Sequence, residues 1–177
     1  MIRFFVLFLV ALGVLFGAEL TEPGQQLFVV PWTNFLATLS AELVRWFDPN
    51  VLVSGKILQS TTNKFAVSIE AGCNGVEATI VLIAAMVAFP APWKHKIAGL
   101  VAGVIAVQGL NIVRIISLFY LGQWNYNVFE WAHLYIWQAL IMLDVLIVFL
   151  LWVRLLPRFE PGDDGGGPPA SSAPAAA

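Results

Sequence analysis

The chain has 177 residues, of which 59% are hydrophobic and only 11% charged, with a net charge of -2. Soluble domains average about 45–50% apolar and about 25% charged, so this composition belongs to an integral membrane protein. There is no basic stripe for a nucleic acid. The single cysteine excludes an internal disulfide and any multi-cysteine zinc or iron–sulfur site.

In chain order, Phe4 to Ala18 is a nearly pure apolar run behind Arg3. As a secretory signal it has a poor cleavage site, because a cut after Ala18 puts Phe16 where a small residue belongs. It reads as an uncleaved anchor, residues 1–19, slightly short of the about 20 residues that span a bilayer. Residues 20–72 form a longer polar-flanked segment. Within it, Phe35, Leu36, Leu39, Leu43 and Trp46 recur on a helical period, Pro31 and Asn34 mark a start, and Asp48-Pro49 a stop. This predicts a helix over Val30 to Trp46 lying on the outer surface. Val51 to Glu70 then reads as a β-hairpin. Val51, Val53 and Ile57 lie on its first strand, Ser60-Thr61-Thr62-Asn63 at its turn, and Phe65, Val67 and Ile69 on its second strand.

Three more apolar runs follow: Asn74 to Trp93, Ile97 to Gly122, and His133 to Val153. They compose a three-helix membrane core, residues 73–156, expected to be catalytic. Residues 157–177 are Pro, Gly, Ala and Ser with a few charges, a composition that predicts a disordered cytoplasmic tail. The fold expected is an all-α polytopic membrane protein of about four transmembrane helices. An outer-surface helix and a small β-hairpin lie on the extracytoplasmic side.

Basic residues orient the chain. With the N-terminus in the cytoplasm, Arg3, Lys94, Lys96, Arg154 and Arg158 lie inside, and the loop from Gln123 to Ala132 has no basic residue. The aromatics of that loop, among them Trp124, Tyr126 and Trp131, read as an interfacial belt.

This orientation brings three rare side chains to one depth. Cys73 lies at the outer mouth of the second span, Arg114 in the outer part of the third, and His133 at the outer mouth of the fourth. His95, between Lys94 and Lys96, is on the opposite side and excluded. The parts suit cysteine chemistry. A helix N-terminus lowers a thiol's pKa, and His133 is placed to act as general base and then acid. Arg114 is always charged and planar, suited to an oxyanion or a substrate carbonyl. Gly72 and Gly75 allow close backbone approach, and the amides of Asn74 and Gly75 are candidate oxyanion donors. Each residue also has a plainer reading. A lone cysteine is usually buried and inert, and Arg114 in a bilayer has candidate partners in Glu77 and Asp144. Shared depth favours the joint reading. Gln108, Asn111 and Arg114 recur every third residue, so one face of the third helix is polar and points inward. Asn111 is expected to bond across helices or to hold Arg114. Glu77 is expected to orient Arg114 in a mainly structural role. Asp144 is too deep to be catalytic. No metal and no cofactor is called for.

Glu70-Ala71-Gly72-Cys73-Asn74-Gly75-Val76-Glu77, then Asn111-Ile112-Val113-Arg114-Ile115, then His133 before the final span, together resemble the exosortase/archaeosortase family, most closely the short exosortase H group. The resemblance covers Phe65 to Val153. It implies a membrane-embedded cysteine transpeptidase of a bacterial inner membrane, multi-pass, with both termini cytoplasmic and the active site periplasmic. Implied substrates are exported proteins with a C-terminal sorting signal: a short motif, a transmembrane helix and a basic tail. Cys73 would form a thioacyl intermediate, and a cell-surface glycan or lipid component would accept it. Water as acceptor gives the alternative of a simple cysteine protease. A non-catalytic membrane scaffold, with Arg114 merely paired to Glu77, is the third reading.

Overall fold

The computed structural model describes residues 2–156; the predicted tail, 157–177, lies outside the described residues. Five main helices and three short strands follow one another. They are α1 (Ile2–Leu20), α2 (Glu22–Arg45), β1 (Val51–Ser54), β2 (Ile57–Ser60), β3 (Ala66–Ser68), α3 (Val76–Ala88), α4 (Trp93–Trp124) and α5 (Tyr126–Leu155). Four of them, α1, α2, α4 and α5, are long and apolar enough to cross a membrane. The chain is a multi-pass membrane protein.

The number of such helices agrees with expectation, but their distribution differs. The helix predicted over Val30 to Trp46 starts earlier, at Glu22, and so becomes long enough to cross. Thr21 separates it from α1, its hydroxyl accepting from the Gly24 N–H at 3.1 Å. Pro31 has no N–H to give, and the helix ahead of it loosens to a π-turn over Gln25–Val29. By contrast, the predicted span from Asn74 to Trp93 holds a helix of 13 residues. That is about 20 Å, less than the about 30 Å of a bilayer's hydrocarbon. A left-handed Gly75 (φ 70°) delays its start and Phe89-Pro90-Ala91-Pro92 ends it. The loop predicted from Gln123 to Ala132 is almost all helical. Only Asn125 interrupts it, and its Oδ1 accepts from the Asn127 and Val128 N–H groups.

The predicted hairpin is a three-stranded antiparallel sheet, ordered β1-β2-β3. The run from Val51 to Ile57 folds back at Gly55 (φ 57°) and Lys56 into two strands rather than one. Only a residue tolerant of positive φ fits that turn.

The short α3 is the centre of the bundle, packed by α1, α4 and α5. Ala78, Leu82 and Met86 on it meet Val107 of α4 and Ile141, Val145 and Trp152 of α5. The far end is pinned by the Trp152 indole N–H donating to the His95 carbonyl at 3.0 Å. Lys96 Nζ donates to the Val87 carbonyl at 2.6 Å. Since α4 has 32 residues, it overshoots α3. The free length carries a second core, in which Ile115 and Phe119 meet Leu36, Ala37, Ala41 and Val44 of α2 and Val51, Leu58 and Ile69 of the sheet.

Close docking of sheet on helix depends on Gly122, where an added Cβ would lie 2.0 Å from the Phe65 ring. Gly122→Ala is therefore expected to destabilise the fold by about 1–3 kcal/mol. It should lower the unfolding midpoint in detergent and expose the 61–64 turn to protease. Gly109, with nothing within 4 Å of an added Cβ, is the control. Gly109→Ala should be neutral or stabilising by up to about 1 kcal/mol. Equal effects of the two would show that the ring contact is not limiting.

Candidate functional site

The two cores meet at the loop from Glu70 to Gly75, and this loop carries the cysteine. Every turn of it is tied down. The Cys73 N–H donates to the Glu70 carbonyl at 2.9 Å. Glu70 itself is held by Lys56 at 2.5 Å, and that contact keeps its carboxyl below the usual carboxylate range. Gly72 has a φ of 80°, and its N–H donates to Glu77 Oε1 at 2.6 Å. Asn74 Oδ1 accepts from the Val76 N–H at 3.0 Å, starting α3, while its Nδ2 donates to Thr33 of α2 at 3.2 Å. Gly75 could be no other residue. Besides its positive φ, an added Cβ would stand 2.9 Å from the Gln108 amide. Gln108 Nε2 donates to the Gly75 carbonyl at 3.1 Å and to Thr79 Oγ1 at 3.0 Å.

Against this loop α4 presents Arg114, which is only 2% exposed. Its guanidinium donates to the Gly72 carbonyl at 3.2 Å and to the Cys73 sulfur at 3.4 Å. Among the described residues it has no carboxylate partner; the ion pairs there are Arg45–Glu42 and Lys56–Glu70. From α5, His133 Nε2 stands 4.0 Å from the same sulfur. That is longer than a working hydrogen bond, as is common in catalytic pairs without substrate. His133 lies in a π-turn, Ala132–Ile136, a deformation that often marks functional positions. Its ring stacks on Phe129, with centroids 5.8 Å apart and planes 3° from parallel. Its buried Nδ1 has no partner among the described residues, so stacking rather than a carboxylate orients it. All three side chains line one cavity of about 280 Å³.

The thiol's electrostatics differ from expectation. The helix N-terminus predicted a lowered pKa. Instead, burial pushes the Cys73 thiol up, and the Arg114 guanidinium pulls it down by less. Glu77 and Glu70 add to the upward side. The resting group is a thiol whose ionisation needs help.

Arg114, His133 and Cys73 converge, then, and the supporting residues divide. Asn74 and Gly75 shape the loop, and their backbone amides have no protein partner among the described residues. Glu77 makes no ion pair with Arg114; it holds Gly72, because as the second residue of α3 its side chain reaches back to that N–H. Asn111 makes neither bond expected of it. It is fully buried, and among the described residues neither its Oδ1 nor its Nδ2 has a partner. Packed behind Gly75, it is out of reach of a donor or acceptor. Asp144 lies eleven residues beyond His133 on α5, about 16 Å away along the helix. Gln108, read only as part of a polar face, proves to hold the loop. Thr33 and Phe129 had no sequence signal, since each contributes through a contact between distant elements.

The geometry predicts how the thiol reacts. Alkylation of wild-type protein by iodoacetamide should keep rising beyond the pH at which a free cysteine levels off, since a raised pKa delays the thiolate. Arg114→Gln removes the downward pull and raises that pKa further. Its alkylation at neutral pH should slow by about tenfold for each unit by which the pKa rises. An unchanged rate would mean that the guanidinium does not act on the sulfur.

A family model described as "Transmembrane exosortase" matches residues 1–153. Neither a curated protein nor a solved structure matches.

Proposed function

Because the chain belongs to the transmembrane exosortase family, we propose that it is a membrane-embedded cysteine transpeptidase. It cleaves the C-terminal sorting signal of exported proteins through a thioacyl intermediate at Cys73, and it passes the acyl group to a cell-surface glycan or lipid acceptor. The site opens on the periplasmic side of a bacterial inner membrane, with both termini in the cytoplasm: α3, though short, runs back along α1 to bring Phe89 against Phe4, and α2 packs with the sheet on the overhanging end of α4 rather than crossing beside it. The observation that carries this reading is a buried arginine that has no carboxylate partner among the described residues and donates to a thiol as well as to the Gly72 carbonyl, with an imidazole 4.0 Å from that sulfur.

The steps balance. His133 Nε2 takes the Cys73 proton as the sulfur attacks the scissile carbonyl carbon. This bypasses the raised thiol pKa, because the proton leaves only as the S–C bond forms. The oxygen of the tetrahedral intermediate takes the negative charge. Arg114 and the free amides at Asn74 and Gly75 are the donors nearest to it. As the C–N bond breaks, His133 returns the proton to the leaving amine. The acceptor then gives its proton to His133 as it attacks the thioester carbon; the C–S bond breaks, and His133 returns the proton to the Cys73 sulfur.

The scaffold reading loses its main support, since Arg114 is not paired to Glu77. Cys73→Ala and Cys73→Ser are expected to fold as wild type and to abolish processing of an exported protein with a C-terminal sorting signal. His133→Ala should lower processing by about 10²-fold or more. Processing by Cys73→Ala at the wild-type rate would end the enzyme reading. Added hydroxylamine tests the transfer step: a hydroxamate product marks a thioacyl enzyme that accepts a nucleophile other than water, and its absence at every concentration marks hydrolysis alone.

A further inference from the structure

One wall of the cavity is a strand with the residues that flank it. The cavity is lined without a break from Phe65 to Glu70, facing Cys73, Arg114 and His133. The strand in that wall, β3, is an outer strand of the sheet. Its register on β2 sets Leu58 opposite Val67. The Ser60 N–H donates to the Phe65 carbonyl at 2.9 Å, and the Ile69 N–H to the Lys56 carbonyl at 3.0 Å. In an antiparallel ladder, alternate residues turn both backbone groups to the same neighbour. Phe65, Val67 and Ile69 are thus committed to β2. Ala66 and Ser68 turn their N–H and C=O groups to the free edge. Both residues are exposed, and neither backbone finds another protein partner among the described residues.

An unpaired strand edge is a template for another strand. This one is short, opens into the cavity that holds the thiol, and is separated from Cys73 by only Ile69 to Gly72. A cavity bordered by a strand with a free edge and by the residues Phe65 and Phe129, whose rings meet edge to face, fits an extended peptide with an apolar side chain facing inward. We propose that the peptide substrate binds as a fourth strand on β3, its backbone paired with Ala66 and Ser68, which brings the scissile bond to the Cys73 sulfur. This rests on Cys73 being the nucleophile. Strand addition supplies affinity through main-chain bonds, and pockets for alternate side chains supply selectivity.

The test uses the full chain in nanodiscs and a peptide from the sorting signal of a protein that it processes. The peptide is N-methylated at one backbone position at a time. Binding is read by fluorescence anisotropy on Cys73→Ala, so that it does not depend on the chemistry. Methylation at alternate positions should weaken binding, on the order of fivefold to tenfold for each bond lost, with little effect at the positions between. Ala66→Pro deletes one outward N–H and leaves the bonds to β2 intact, a substitution that an edge strand tolerates. It should weaken the unmethylated peptide by a similar factor, and in an otherwise wild-type chain should raise KM more than it lowers kcat. Loss without alternation along the peptide, or no loss at any position, would overturn strand addition while leaving the nucleophile untouched. Processing by Cys73→Ala would overturn the nucleophile, and the alternation in binding would still be readable.

Discussion

The contact on which the site depends is that of the buried Arg114 guanidinium with the Cys73 sulfur and the Gly72 carbonyl. An arginine placed in a bilayer costs about 2.5–3.5 kcal/mol on insertion scales, and more where it is sealed from water without a counter-charge. Two neutral acceptors do not repay that cost. A site that bears it is poised for a negative charge that is absent at rest and present in reaction, on sulfur or on a carbonyl oxygen. The fold is arranged around the same point. Because α3 is short and α4 long, α4 runs past the start of α3, and Arg114 sits where the two part. Below it lies the core of α3, α4 and α5; above it lies the core that joins α2 and the sheet to the overhanging end of α4.

Much of this was legible in the sequence because it rests on rare residues in an apolar background. One cysteine, one intramembrane arginine and one histidine at matching depths need no contact map; charge bias and helix rise align them. What escaped was set by local backbone chemistry or by contacts between distant elements. A hydropathy window cannot see that Asn74 and Gly75 hold back the start of α3. Nor can it see that Thr21 frees α2 to begin twelve residues before Asn34. The extra strand turned on one glycine, Gly55, inside a run that reads as β throughout. Glu77 was assigned to Arg114 on charge, but a carboxylate in the first turn of a helix is also the natural partner of a free N–H just before it, and Gly72 supplies one. Asn111 was read as a hydrogen-bonding residue because buried amides nearly always are. Its isolation behind Gly75 depends on packing that no spacing rule encodes.

The thiol's raised pKa changes what the remaining parts must do. A cysteine activated in advance by a helix N-terminus needs a histidine mainly to protonate the leaving group. A buried cysteine that rests as the thiol needs a base at the moment of attack, and His133 is the imidazole in reach. Among the described residues its ring has no carboxylate partner, so nothing there fixes the tautomer with Nε2 unprotonated; the stack on Phe129 sets only the orientation of the ring. A base of this kind is weaker than one backed by an acid group, and its imidazolium is not stabilised by a neighbour. Arg114 adds a positive charge beside it and opposes that imidazolium further. The arrangement therefore favours short-lived separation of charge: proton transfer coupled to bond formation at sulfur, with the guanidinium free to follow the negative charge from sulfur to oxygen. It also demands that the scissile bond be in place before the proton moves, which puts the weight of catalysis on how the peptide is held.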